Sequence, residues 1–298
     1  MLDPAVLVQI FWTGLATSSY MVLFTIAFAL VLKVLKLWNF AQAGMMAIAF
    51  YAMYAAVNQF HWPTAAAVAF GLAMTLAATL AFEVLGLRTL RARRSSSLLF
   101  FIFTLVCSEF TAYTLTLIFG TEPAPLFPEI LSPTRMVAGI AVSNWDLLAV
   151  GLTAALCAAL ALYLRTTRDG QFMLAVSDSA ELAALYGINA RRTYAVTFAI
   201  ASVFVCAGMY LYGSRTATIP TAPLQLMLFA VIATLLGGMG SVLGGALAAV
   251  FLSLLQSYSV LVIPSQWQGL ILYVFLFVTI LFFPTGMHPM TLLRRALR

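Results

Sequence analysis

Eight stretches of the chain are apolar for about as long as a helix needs to cross a bilayer, roughly 20 residues: 6–32, 38–58, 64–86, 97–119, 145–164, 194–213, 241–262 and 266–283. A further run, 225–236, is apolar but short. Backbone polar groups in hydrocarbon must be satisfied within their own segment, so every run is predicted as a helix. The expected fold class is an all-α polytopic membrane protein with eight or nine transmembrane helices in a single domain over residues 1–298. The count turns on whether 225–236 is a broken or half-crossing helix.

The polar gaps orient the runs. Lys33 and Lys36 follow the first run, Arg88, Arg91, Arg93 and Arg94 follow the third, and Arg165, Arg168, Arg191 and Arg192 flank the segment 165–193. Basic residues concentrate in cytoplasmic loops. That places the N-terminus and the loop 120–143 outside, the latter with Glu122, Glu129, Pro123, Pro125, Pro128 and Arg135 as its one base. Keeping Arg294, Arg295 and Arg298 inside then requires four crossings between 193 and 284, including 225–236. Asp3 and the lack of a basic leader argue against a cleaved signal peptide.

The segment 165–193 is the one sizeable polar stretch on the cytoplasmic side. Asp178-Ser179-Ala180-Glu181 reads as a capping box, with Asp178 as the cap and Glu181 reaching back. Leu182, Leu185 and Tyr186 supply an apolar face, Gly187 fits the left-handed position after a helix, and Asn189 can cap the next span. A two-turn helix over about 179–186 is predicted. Such a helix is either a docking element or a connector lying on lipid headgroups.

Composition agrees with lipid as the main solvent: 63% of the 298 residues are hydrophobic and 8% charged, with mean hydropathy +1.04, where soluble domains carry about 25% charged residues. The net charge of +6 sits at span ends, which argues for membrane orientation and against nucleic-acid binding. Cys107, Cys157 and Cys206 lie inside apolar runs without CxxC spacing, and His61 and His288 are far apart, so neither a disulfide framework nor a metal site is expected. No cofactor is expected either. No lysine completes a GxxxxGK[ST] loop, and Leu243 stands where a dinucleotide fingerprint starting at Gly238 needs glycine.

Three places carry polar or glycine signals inside apolar runs. Gly237-Gly238-Met239-Gly240-Ser241-Val242-Leu243-Gly244 allows close helix packing through Gly240 and Gly244, or a helix break that lines a path at Gly238, Gly240 and Ser241. Asn39 and Gln42 share one helix face and could meet a polar solute, or Asn39 caps the helix while Gln42 bonds a neighbouring backbone. Glu109 sits in the middle of 97–119 with no base at its depth. An ionised carboxylate there is costly unless it is paired, protonated or facing water, which makes it a candidate pathway residue. Glu83 and Arg88 are expected to pair at the inner end of the third run.

Several segments together resemble the permeases of branched-chain amino-acid ABC transporters, specifically the H-type subunit. They are Asn39-Phe40-Ala41-Gln42-Ala43, Glu83 with Arg88 and Arg91, Arg168-Asp169-Gly170, Ala183-Ala184-Leu185-Tyr186-Gly187-Ile188-Asn189, Thr197-Phe198-Ala199, Leu236 to Gly244, and Phe283-Pro284-Thr285-Gly286. The resemblance implies a type II-like ABC importer permease fold. It implies that the loop 165–193 couples the permease to a cytoplasmic ATPase, through Asp178, Glu181, Leu182, Leu185, Gly187 and Asn189. The implied partners are a paralogous second permease subunit, two ATPase subunits and a periplasmic solute-binding protein docking near 120–143 and 214–224, all in a bacterial inner membrane. ATP hydrolysis would belong to the partners, so the chain is not expected to be an enzyme. The family signature's His, Gly and acid are Gln42, Ala43 and Gly44 here, and family members usually lack an acid at the position of Glu109. Branched-chain amino acids, urea, short amides and aromatic or other organic acids all remain open as cargo. The alternative from another class is a stand-alone ion-coupled carrier or channel using Glu109 as its proton site.

Overall fold

The computed structural model describes residues 4–127, 134–137 and 140–261, together with residues 264, 267, 269, 270, 273, 274, 277, 278 and 281. The expected span 266–283 falls largely outside the described residues, as do Phe283-Pro284-Thr285-Gly286 and the C-terminal arginines.

Helix α1 (Pro4–Leu35) opens on proline, whose missing N–H costs nothing at a helix start, and stops at Lys36, which takes a left-handed φ of 53°. After the connection 36–39 comes α2 (Ala41–Tyr54), prolonged by a π-helical turn at Ala55–Gln59. Extended Pro63 precedes α3 (Thr64–Ala81), which continues without a break through a π-helical segment, Phe82–Leu87, into α4 (Arg88–Ala92). Ser96 caps α5 (Ser97–Phe119) by accepting the Leu99 N–H, and Gly120 at φ 87° ends it. A short antiparallel hairpin, β1 (Thr134–Val137) and β2 (Ile140–Ser143), pairs Thr134 with Ser143. Helix α6 (Asn144–Thr166) follows it directly.

The polar segment then holds two helices, α7 (Arg168–Asp178) and α8 (Ala180–Leu185), where one was expected. Helix α9 (Ala190–Gly213) starts on the cap from Asn189. Helices α10 (Pro223–Gly237) and α11 (Val242–Ser259) complete the described elements.

Six helical stretches are long and apolar enough to cross a membrane: Val6–Leu35, Thr64–Ala92, Ser97–Phe119, Asn144–Thr166, Ala190–Gly213 and Val242–Ser259. Together they make the chain a multi-pass membrane protein. Helix α10 is shorter. Its 15 residues rise about 1.5 Å each, or about 22 Å against a hydrocarbon core of about 30 Å. The expected eight or nine full spans are therefore not all found among the described residues.

Helix α1 is central, packed by α6, α9, α10 and α11, while α2 sits among α3, α5, α9 and α10. Phe24, Phe28, Met46, Phe50, Phe198 and Phe229 fill the space between them. Helices α5 and α6 present most of their surface outward, with 17% of an 18-residue apolar stretch of each buried against 78% for α1. The direction of α11 follows from its contacts with α1: the Tyr258 hydroxyl donates to the Leu7 carbonyl, while Gly245 lies against Thr25 and Ala29. The two helices run antiparallel.

Two expectations need correction here. The glycine run does not pack through Gly240 and Gly244. Gly238 and Gly240 form the turn between α10 and α11 with φ of 95° and 94°, and the close approach is Gly237 against Gly244. A Cβ on Gly237 would lie 2.2 Å from the Gly244 carbonyl carbon and oxygen. Glu83 pairs with Arg91 and not with Arg88. The π-helical register between them, bonded i to i+5, rotates Arg91 toward the acid, and its guanidinium also lies over the Tyr194 ring, 4.5 Å from the centroid.

Candidate solute pathway and coupling segment

The structure separates the expected pathway residues into three places. Asn39 and Gln42 are enclosed inside the helix bundle. They line a cavity of about 10 Å³ with Val31, Met45, Thr79, Phe198, Ala201, Ser202 and Val205, which is room for one water molecule. Asn39 is not the cap of α2, whose cap position is Phe40 with no side-chain bond. Gln42 Nε2 donates to the Phe24 carbonyl at 3.4 Å, which fixes its amide on α1. Asn39 Oδ1, Gln42 Oε1 and Thr79 Oγ1 are buried and have no protein hydrogen-bond partner.

Glu109 lies elsewhere, half-buried on α5. It borders a cavity of about 240 Å³ with Ala43, Ser108, Ala112, Tyr113, Pro220, Thr221, Pro223 and Leu224. The cavity exists because the chain after α9 does not go straight into another full helix. Thr218 pairs with Ala124 through two 3.0 Å backbone bonds, and the Tyr51 hydroxyl donates to the Thr218 carbonyl at 3.1 Å. The segment 214–222 is thus held against α2 and the 120–127 loop, and α10 begins only beside Ser108 and Tyr113. Among the described residues no hydrogen bond or ion pair reaches Glu109.

Gly238, Gly240 and Ser241 are in neither cavity. They form the α10–α11 turn, where Ser241 Oγ caps α11 by accepting the Gly244 N–H at 3.0 Å.

At the end carrying the arginine clusters, the polar segment is braced against the bundle. Met173 and Val176 of α7 are buried, and Gly170 fits so closely that a Cβ would meet the Tyr163 carbonyl oxygen at 2.4 Å. The cap of α8 is Ser179, which accepts the Leu182 N–H at 3.2 Å. Asp178 is the last residue of α7, and among the described residues no hydrogen bond or ion pair reaches Glu181, so the expected capping box is absent. Two neighbouring residues of cap-forming type made the sequence ambiguous, and the end of α7 decides between them. Lys36 Nζ donates to the Asp178 carbonyl, tying the end of α7 to the turn before Asn39. Gly187 has φ 78°, and Asn189 Oδ1 accepts from the Arg191 and Arg192 N–H groups. Leu182, Leu185 and Tyr186 are 60%, 83% and 87% exposed.

A cluster that sequence reasoning missed closes the opposite end. Asp146 Oδ2 accepts from Trp12 Nε1 at 3.1 Å and from the Ser143 N–H at 2.9 Å, while Oδ1 accepts from Arg215 at 3.2 Å. Arg215 lies over the Trp145 ring. The signal was available, since Ser143 and Asp146 have capping-box spacing.

The family model for the branched-chain amino acid transport system permease component matches residues 10–281. The chain belongs to this permease family. Similar curated proteins include the high-affinity branched-chain amino acid transport system permease BraD of Pseudomonas aeruginosa, 26% identical over 149 residues that cover 50% of this chain and 48% of BraD. The corresponding permease LivH of Escherichia coli K12 is 27% identical over 129 residues, covering 43% of this chain and 42% of LivH. The xylose transport system permease XylH of Haemophilus influenzae is 33% identical over 129 residues, covering 40% and 34%. The chain thus spans about half or less of the length of these relatives. No solved structure matches it.

Proposed function

We propose that the chain is the membrane-spanning permease subunit of a binding-protein-dependent ABC importer in a bacterial inner membrane, built on a type II-like permease fold. The observation that carries the reading is α8, a short helix at the arginine-rich end with its apolar side chains exposed. It is joined through a braced α7 to the first and last turns of membrane helices. A helix fixed at its base and bare at its tip suits a contact with a cytoplasmic ATPase. Motion of α8 would reach α1 and α2 through α7, and Lys36 lies on that route.

The solute would pass by Glu109 and not by Asn39 and Gln42. A 240 Å³ cavity beside a half-buried acid is large enough for a small organic molecule. A cavity for one water is not. A carboxylate on an otherwise apolar face is costly against lipid, so a second permease subunit, paralogous to this one, would cover that face and complete the passage. Asn39, Gln42 and Thr79 would instead hold a bridging water where α2 and α3 meet. The relatives point to branched-chain amino acids or another small organic solute as cargo, delivered by a periplasmic binding protein.

Reconstitution tests this reading. The chain with its ATPase, second permease and binding protein should take up solute into proteoliposomes only with ATP. The chain alone should transport nothing. Uptake by the lone chain driven by a proton gradient would instead establish the ion-coupled carrier.

A further inference from the structure

We infer that the Glu109 cavity selects by charge, admitting solutes that present ammonium, guanidinium or amide N–H groups and disfavouring organic acids that carry only carboxylates. The inference rests on the reading of this cavity as the solute pathway and names the class of solute it takes. Among the described residues of the lining Glu109 is the one carboxylic acid, and no Lys, Arg or His accompanies it there. Its carboxylate can only accept hydrogen bonds when ionised. Ser108, Tyr113 and Thr221 add hydroxyls, and the other walls are Ala43, Ala112, Pro220, Pro223 and Leu224.

The start of α10 does not offset this, although a helix N-terminus attracts anions. Here its donors are already committed. Pro223 has no N–H, the Leu224 N–H turns back to the Thr221 carbonyl at 3.4 Å, and the Gln225 N–H bonds the Ala222 carbonyl at 3.0 Å. A solute carboxylate entering the cavity finds Glu109 opposing it and no backbone donor free among these residues. A solute N–H or cation finds an acceptor that has no partner among the described residues.

Charged thiol reagents read this property without knowledge of the cargo. Thr221→Cys is placed in a background where Cys107, Cys157 and Cys206 are alanine, and Tyr113→Cys serves as a second reporter on the opposite wall. In the purified chain in nanodiscs, the rates of a cationic and an anionic methanethiosulfonate are each divided by the rate with a free small thiol. A single charge about 6 Å away, at a dielectric near that of water, should favour the cationic over the anionic reagent about tenfold. Glu109→Gln should bring the ratio close to one, while an uncharged methanethiosulfonate reacts equally with and without Glu109. A ratio near one with Glu109 present, a ratio unchanged by Glu109→Gln, or no reaction of the uncharged reagent at either reporter would overturn the inference. None of these readouts needs the ATPase, so the charge selection can fail while ATP-driven uptake stands.

Discussion

Replacing Asp146 by alanine should be the most damaging single change at the end of the bundle away from the arginine clusters. Its side chain is 6% exposed and one carboxylate serves three donors on three segments: Trp12 of α1, the Ser143 N–H that opens α6, and Arg215 after α9. A hydrogen bond to a charged group contributes about 1.5–3 kcal/mol, and a buried donor left unpaired costs about 1–3 kcal/mol. Trp12 and Ser143 both lose their acceptor, so Asp146→Ala should cost about 3–5 kcal/mol, including the cap of about 1 kcal/mol. Arg215 is different. Its side chain is 42% exposed, and a pair so open to solvent contributes about 1 kcal/mol or less. Arg215→Gln should therefore cost far less than Asp146→Ala. Equilibrium unfolding of the purified chain in mixed micelles, followed by far-UV circular dichroism, measures both. Equal midpoints for the two variants would refute the view that Asp146 is an anchor for the helix start and for Trp12.

The Glu83–Arg91 pairing predicts that Arg91→Gln destabilises by about 3–5 kcal/mol, because it leaves a buried acid without its cation, while Arg88→Gln changes little; the same unfolding measurement distinguishes them. Gly237→Ala should abolish correct assembly of α10 on α11, since a Cβ there meets backbone at 2.2 Å and neither helix can yield by side-chain motion. Gly151→Ala, with nothing within 4 Å of the added Cβ, should be neutral or stabilise α6 by about 0.5–1 kcal/mol. Folded yield after detergent extraction reports both.

Much of this was legible from residue type and spacing. The run 97–119 matches α5 residue for residue. Gly187 and Asn189 carry unambiguous backbone demands, a left-handed φ and a helix start, and both appear as expected. Helix α7 was not legible, because Arg168–Asp178 is polar enough to read as a loop and becomes a helix by burying Met173 and Val176 against the bundle. The π-helical register that brings Arg91 to Glu83 leaves no trace in side-chain spacing. The division between Asn39 and Glu109 was hidden for a similar reason. Both are polar residues in apolar runs, and only packing tells that one faces the closed interior and the other an open cavity.

The central claim is that the tip of α8 is where force from an ATPase enters the membrane domain. Leu182 and Leu185 are 60% and 83% exposed, so Leu182→Ala with Leu185→Ala should leave the stability of the chain unchanged. If both side chains become buried in the partner, the pair loses about 4–5 kcal/mol at about 0.8 kcal/mol per CH2 group, roughly a thousandfold in docking affinity. The measurement is ATPase binding to the chain in nanodiscs, with solute-stimulated hydrolysis and uptake followed in the assembled complex. Binding weakened by that order with uptake lost is the expected result. Wild-type binding, hydrolysis and uptake in the double variant would contradict it.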